Sequence, residues 1–125
     1  MSTIVISNIK ATGETASRAV SGVAAAWSNF NGTGTVSIRD SQNISSLTDV
    51  GTGTYDVYFT SSMATSDYAV AQAASDTGYG AKLDLDGPTW QTSLKSRQRS
   101  FQVYGGTYGA IDCNMMDAMY MGDLA

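Results

Sequence analysis

The sequence predicts an all-β protein, an antiparallel β-sandwich of jelly-roll-like type, and three observations lead to this fold class. Thirteen Gly, sixteen Ser and fourteen Thr among 125 residues give a composition rich in turns and strand-compatible side chains. Ten of the eleven acidic residues are Asp, which favours turns and caps over helix interiors. Apolar and polar residues alternate with a period of two in seven or eight short segments separated by turn signals.

A chain of this length is expected to form one domain, because two cores would each be marginal. The alternating pattern occupies residues 23–125, which we predict to form the sandwich. Residues 1–22 lack such a pattern and contain one apolar run, Ile4-Val5-Ile6, followed by small polar residues. We predict an extended N-terminal arm there, which gains order by lying on another surface.

Individual strands follow from the alternation. Thr35–Arg39 is predicted to be a half-buried strand that ends in a turn over Asp40–Asn43. Ile44–Thr48 and Tyr55–Thr60 flank a five-residue loop with two glycines, which is typical of a β-hairpin. The predicted core consists of Trp27, Phe30, Val36, Ile38, Tyr55, Val57, Phe59, Phe101 and Val103.

The last predicted strand is apolar on both faces. Met116, Ala118 and Tyr120 face one way, and Met115, Met119 and Met121 face the other, interrupted only by Asp117. Such a strand is buried on both sides, or one side contacts a partner. We predict an interface between copies at Met115, Met119 and Met121, since flexible Met side chains suit such contacts.

Two groups of charged residues allow more than one interpretation. Lys95, Arg97 and Arg99 share one face if extended, and they either bind an anionic sugar or phosphate or pair with acids such as Asp84 and Asp86. Asp84 and Asp86 leave one face of a strand together. They are candidates for an ion site or an acid/base pair, or they simply face solvent opposite Leu83 and Leu85.

Aromatic side chains in or beside predicted loops are candidate contacts, because such rings stack on sugars and fill binding pockets. They serve equally to cover the ends of the core. With the two arginines, the predicted contact residues are Tyr79, Trp90, Arg97, Arg99, Tyr104 and Tyr108.

The composition also excludes several kinds of site. The absence of His removes every Ser-His and Cys-His arrangement, and Cys113 as the single cysteine has no internal disulfide partner. We expect Cys113 to be buried and inert, and we expect no metal and no cofactor. The net charge of −4 argues against nucleic acid, and no apolar run is long enough to span a membrane. The N-terminus does not read as a signal peptide, which predicts synthesis in a cytoplasm.

Five stretches within residues 10–74 carry a resemblance: Ala11–Ser17, Ala26–Ser41, Ile44–Asp49, Gly51–Tyr55 and Asp67–Val70. The most distinctive is Trp-Ser-Asn-Phe-Asn-Gly-Thr-Gly at 27–34. Together they resemble a module of tailed-bacteriophage virion proteins of tail-fibre type, particularly from marine phages, and Met116–Gly122 resembles the terminal strand of that family. The resemblance implies a β-rich homotrimer on the virion exterior and brings no catalytic residues.

Three functions remain open from the sequence. The first is a non-enzymatic tail-fibre or tail-tip module that engages the host surface, including its glycans. The second is a capsid decoration protein whose N-terminal arm docks on other virion proteins. The third is a carbohydrate-degrading depolymerase that uses Asp84 and Asp86.

Overall fold

The computed structural model describes residues 2–9, 12, 13, 18, 19, 23–76, 79–85, 90–104 and 107–125, and at residues 9, 18, 19, 76, 79–85, 103 and 104 it describes the backbone only. The strands in the described ranges are β1 (Asn8–Ile9), β2 (Arg18–Ala19), β3 (Ala24–Asn31), β4 (Ser37–Gln42), β5 (Ile44–Gly51), β6 (Thr54–Phe59), β7 (Ala69–Asp76), β8 (Tyr79–Leu85), β9 (Lys95–Tyr104), β10 (Thr107–Ala110) and β11 (Met115–Met121).

The strands form two antiparallel sheets of four strands each. The first sheet has the order β4-β3-β11-β7, and the second has the order β8-β9-β6-β5, with β10 added to β9. Pairing of β7 with β8 through Ser75–Gly80 and Asp76–Tyr79 joins the two sheets at one edge. The prediction of an all-β antiparallel sandwich is confirmed. Strands β1 and β2 pair with each other in a separate two-stranded sheet.

The core lies between the inner faces of the two sheets, where large aromatic rings meet edge to face. Phe30 on the first sheet contacts Tyr55 on the second, with ring centroids 5.3 Å apart. Phe59 on β6 contacts Tyr120 on β11 at 5.0 Å, and both rings contact Tyr68, just before β7. Such pairs add about 1 kcal/mol each beyond the burial of their apolar surface. These contacts fix how the two sheets sit on each other.

At three inward positions of β9, the described side chains are small or polar: Ser96, Gln98 and Ser100 are fully buried. The small serine side chains leave room for tyrosine rings from other elements. The Gln98 side-chain amide donates a hydrogen bond to the Tyr120 hydroxyl. Burial raises the pKa of Tyr120 above its ordinary value of 10.0, outweighing the hydrogen bonds that oppose the shift. Burial likewise raises the pKa of Tyr68 to about 12.

Several sequence predictions are confirmed in detail. Tyr55, Val57 and Phe59 face the core from β6, and Met116, Ala118 and Tyr120 do so from β11. Cys113 is fully buried, as expected.

Other predictions about strands and the core are wrong. Strand β4 continues through Asp40, Ser41 and Gln42, where a turn was predicted, because these residues pair with β3. Trp27 and Phe101 lie on outer faces, since Ala26 and Ser28 beside Trp27 and Ser100 beside Phe101 are buried. Ile38 is exposed, and the side chain of Val103 lies outside the described residues.

The predicted hairpin is formed by β5 and β6, but its turn consists of Thr52 and Gly53 only. Gly53 has a φ of 62°, and a Cβ atom there would lie 2.5 Å from the carbonyl oxygen of Ser100. Its amide donates to the carboxylate of Asp112 at 2.6 Å, and its carbonyl accepts from the amide of Ser100 at 2.8 Å. Only glycine allows this close approach between the hairpin and β9.

Asn43 forms the corner at which the chain leaves the first sheet and enters the second. It separates β4 from β5 as a single residue with a φ of 57°. Its side-chain amide donates to the carbonyl oxygens of Ala25 at 3.2 Å and Ser61 at 3.0 Å, and its side-chain oxygen accepts from the amide of Ser61 at 2.7 Å. Asn tolerates this left-handed conformation better than most residues, and here its side chain also ties both sheets to the corner.

We predict that Asn43→Ala lowers the free energy of unfolding by about 1–3 kcal/mol, because three hydrogen bonds are lost and the left-handed conformation is strained. Asn43→Gly relieves the strain but not the lost bonds, so its loss should be smaller. Urea unfolding at pH 7 measures both, with Thr48→Ala on the exposed face of β5 as the control. An Asn43→Ala protein as stable as the control would contradict this role for the corner.

Candidate binding surface

The basic residues predicted to share one face do so on the outer face of the second sheet. Strand β9 runs without interruption from Lys95 to Tyr104, and its alternate residues Ser96, Gln98 and Ser100 point into the core. Lys95, Arg97 and Arg99 therefore point outward, and we call these three residues the basic stripe. These three residues are three of the seven Lys and Arg residues in the chain. Strand β9 thus carries three cations on one face, in a protein whose net charge is −4.

The acid that pairs with this stripe is Asp56 on β6, which the strand register places directly opposite Arg97. Arg97 donates two hydrogen bonds to the Asp56 carboxylate, from Nε at 2.6 Å and from Nη2 at 3.0 Å. Lys95 donates a third from Nζ at 2.6 Å. The fork of the guanidinium matches the two carboxylate oxygens, which makes this the strong, two-pronged form of an ion pair. We call Asp56, Lys95 and Arg97 the ionic cluster.

The ionic cluster is largely shielded from water. The Asp56 side chain is 5% exposed, while those of Arg97 and Lys95 are 11% and 22% exposed. Burial by itself raises the pKa of Asp56, but the hydrogen bonds and charges of Arg97 and Lys95 outweigh it and hold the pKa below 3.8. Asp56 therefore remains charged at neutral pH, and the cluster is a fixed feature of the sheet surface.

Trp90 completes this region by packing on the ionic cluster. The guanidinium carbon of Arg97 lies 3.8 Å from the centroid of the indole, and Nζ of Lys95 lies 5.8 Å from it. Nζ of Lys95 also lies 5.4 Å from the Tyr58 ring. Trp90 nevertheless remains 40% exposed. A large aromatic ring is thus held in one orientation by cation–π contacts and presented to solvent. We call Trp90, Tyr58 and the ionic cluster the Trp90 platform.

Two further predicted contact residues extend along the same sheet. The guanidinium of Arg99 lies 4.6 Å from the Phe101 ring. Tyr108 on β10 is 70% exposed, and its backbone pairs with Val103 of β9. The structure therefore brings Trp90, Arg97, Arg99 and Tyr108 to one sheet. Tyr79 begins β8 and Tyr104 ends β9, but the side chains of both lie outside the described residues.

The two acids that the sequence suggested as partners for the basic stripe, Asp84 and Asp86, have side chains outside the described residues. Asp84 on β8 is opposite Arg99 in the backbone register, but its side chain lies outside the described residues, and Asp86 lies outside them entirely. Sequence reasoning did not identify Asp56 as the partner of the stripe. The available signal was its position on the outward face of β6 beside Tyr58, but strand order was needed to bring β6 next to β9.

The outer face of the first sheet carries a different surface, an apolar groove of about 400 Å³ over the central strand β11. The groove is lined mainly by Trp27 on β3, Ala71 and Ala73 on β7, and Met119 on β11. Asp117 also lines it and accepts a hydrogen bond from the side-chain amide of Asn29.

The residues predicted to form an interface between copies lie on this sheet. Met115 and Met119 are 41% and 46% exposed, and Met121 is half-buried. The apolar outer face of β11 is therefore open to solvent at two of the three predicted methionines.

Comparison with protein-family models, with curated proteins and with solved structures gives no match for this chain. Within the described ranges, no group of three His, Cys, Asp or Glu side chains is arranged to hold a metal ion. In the same part of the chain, no helix has the length and apolar character needed to cross a membrane.

We predict that Asp56→Asn destabilises the protein by about 3 kcal/mol at pH 7, because Lys95 and Arg97 lose the charge that compensates them. The folded-state pKa of Asp56 is lowered, so its contribution is present above pH 3.8 and is lost as the pH falls below that value. Urea unfolding between pH 2 and pH 7 therefore should show a smaller gap between variant and parent at the acid end. Asp67→Asn, at an exposed Asp, is the matched control. A gap that does not narrow with acid would refute the ionic cluster as its origin.

Proposed function

We propose that this protein is a non-enzymatic structural protein of a tailed-phage virion, an exterior β-module of tail-fibre or tail-tip type that engages the host surface. The resemblance of residues 10–74 to virion proteins supports the location on a virion. The observation that carries the binding role is the Trp90 platform, in which an exposed indole is held by Arg97 on a rigid sheet.

The platform suits a saccharide of the cell envelope. The flat, exposed indole offers a surface on which a sugar ring packs. Because Asp56 and Arg97 fix the ring before any ligand arrives, little side-chain entropy is lost on binding. A site on sheet strands and their immediate flank is also held more accurately than one on a long loop.

In this proposal the protein acts as a homotrimer. Several copies of a weak glycan site on one particle raise the overall affinity without any new contact. The apolar outer face of the first sheet, with Met115, Met119 and Met121, provides the surface between copies. The two sheets then have separate tasks, one for assembly and one for contact with the host.

The second candidate function is capsid decoration, favoured by the size of the apolar groove on the first sheet. A decoration protein must hold neighbouring shell subunits together, and an exposed apolar surface of this kind suits such contacts. Under this alternative the arm docks on other virion proteins.

Replacing Trp90 tests the binding role. We expect Trp90→Ala to weaken binding to an array of neutral and acidic bacterial envelope glycans by about 10-fold, since the stacking surface is removed. The chain offers a control in Val50→Ala, which truncates an exposed apolar side chain on β5 that belongs to neither the Trp90 platform nor the groove. Equal losses in both variants, or no glycan binding by the parent, would exclude the Trp90 platform as the contact.

Localisation on intact particles separates the two candidates. We expect labelled protein, or its density in particle images, at the tail, and we expect particles that lack it to adsorb poorly to host cells. Density distributed over the head, with normal adsorption and reduced resistance to heat, would instead establish capsid decoration.

A further inference from the structure

Folding of one chain leaves two apolar surfaces in water. The first is the groove on the outer face of the first sheet, formed chiefly by Trp27, Ala71, Ala73 and Met119. The second is the run Ile4-Val5-Ile6, whose side chains are 84%, 91% and 50% exposed. Within the described part of the chain, residues 4–6 do not line the groove, and both surfaces are open to solvent. Contact between two copies would cover them together.

The run fits the groove in shape and period. In an extended chain Ile4 and Ile6 project to the same side, about 6.5–7 Å apart. The same spacing separates Asp117, Met119 and Met121 along β11, so an extended segment lying along this strand stays in step with it. The groove crosses β3, β11 and β7, and its volume of about 400 Å³ accommodates several aliphatic side chains.

The charges are complementary as well. The only charged side chain among the first thirteen residues is Lys10, which is positive. The groove contains Asp117, and the register places Asp40 of β4 opposite Asn29, the residue that donates to Asp117. A segment with one positive charge thus meets a groove that contains one carboxylate and has a second on the neighbouring strand, where the guanidinium of Arg39 is hydrogen-bonded to Asn114; this favours the segment over an acidic one.

The attachment of the arm allows such a contact. Residues Asn8–Ile9 and Arg18–Ala19 pair in a small sheet of their own, separate from both sheets of the sandwich. The run precedes this small sheet, and within the described residues it pairs with no strand of the sandwich.

We propose that the Ile4-Val5-Ile6 run of one copy binds in the Trp27–Met119 groove of a second copy, so that copies of this chain are joined by their N-terminal arms. This proposal does not depend on glycan binding at the Trp90 platform, which lies on the other sheet. It shares the outer face of the first sheet with the proposed homotrimer, so a monomeric parent would count against both, whereas cross-linking between positions 5 and 71 and binding to glycans can fail separately.

A cross-linking experiment with the full chain tests the contact directly. Chains carrying Val5→Cys are mixed with chains carrying Ala71→Cys under mild oxidation; the native Cys113 is fully buried and serves as an unreactive background. We expect a disulfide between the two chains. Val5→Cys mixed with Thr48→Cys, on the exposed outer face of the second sheet, is the matched control and should give little product.

Each other result overturns the proposal. Equal cross-linking to position 48, or none to position 71, excludes the groove as the docking site. A chain that carries both Val5→Cys and Ala71→Cys tests whether the run binds in the groove of its own chain. A closed monomer that persists on dilution shows that the run occupies the groove of its own chain.

The mass of the protein in solution gives a second, independent test. We expect the parent to sediment as an oligomer and the double variant Ile4→Asp, Val5→Asp to sediment as a monomer at the same concentration. Ser2→Asp, Thr3→Asp adds the same charge beside the run and should leave the mass unchanged. A parent that stays monomeric at about 1 mM, where a contact worth only about 4 kcal/mol would already be half formed, or an oligomeric Ile4→Asp, Val5→Asp variant, refutes the proposal.

Discussion

The structure depends on how a polar strand is accommodated in the core. Strand β9 presents Ser96, Gln98 and Ser100 inward, and these small or polar side chains cannot fill the space between two sheets by themselves. Tyrosine rings from the opposite elements fill it, and the Tyr120 hydroxyl finds a side-chain partner that an apolar strand would lack. Tyr120 meets Gln98, while the Tyr68 hydroxyl lies 3.0 Å from the carbonyl oxygen of Lys95 and 3.1 Å from that of Thr92. A buried tyrosine hydroxyl without a partner would lower the stability of the fold by about 1–3 kcal/mol, and these hydrogen bonds avoid that cost.

The same constraint determines the outer surface of the second sheet. Since alternate residues of β9 must point inward to meet the tyrosines, Lys95, Arg97 and Arg99 must point outward. A shift of one residue would bury three cations. Asp56 then stands opposite Arg97 and compensates the charge, and the resulting pair orients Trp90. The candidate binding surface is thus a consequence of core packing on the other face of the same strand.

The sequence predicted the fold class and the parts that are local. The β5–β6 hairpin, the inward face of β6 and the alternation of β11 all follow from a period of two, which neighbouring residues define among themselves. Phe101 shows where local reasoning failed. It was assigned to the core because it is apolar, yet on the continuous strand β9 it lies on the same face as Arg97 and Arg99. The partnership of Asp56 with the basic stripe required the order of the strands, which depends on contacts distant in sequence and has no local signal. The extension of β4 to Gln42 was missed because Asp40, Ser41 and Gln42 are typical turn residues, and pairing with β3 overrides that preference.

The pairing of β3 with β11 has a mechanical consequence. Ala24 at the start of β3 is paired with Met121 at the end of β11, so the chain before the sandwich and the chain after it leave from the same end of the first sheet. Tension between these two ends, once the bridge of Leu124 to Met63 has opened, would separate the strands one hydrogen-bonded pair at a time, because the bonds of an antiparallel ladder lie along the pulling direction. Strands loaded in this way unzip at low force, whereas strands pulled past each other resist together. The sandwich therefore offers little mechanical resistance when force is applied between its two chain ends. Attachment through one end alone does not load the β3–β11 pair in this way.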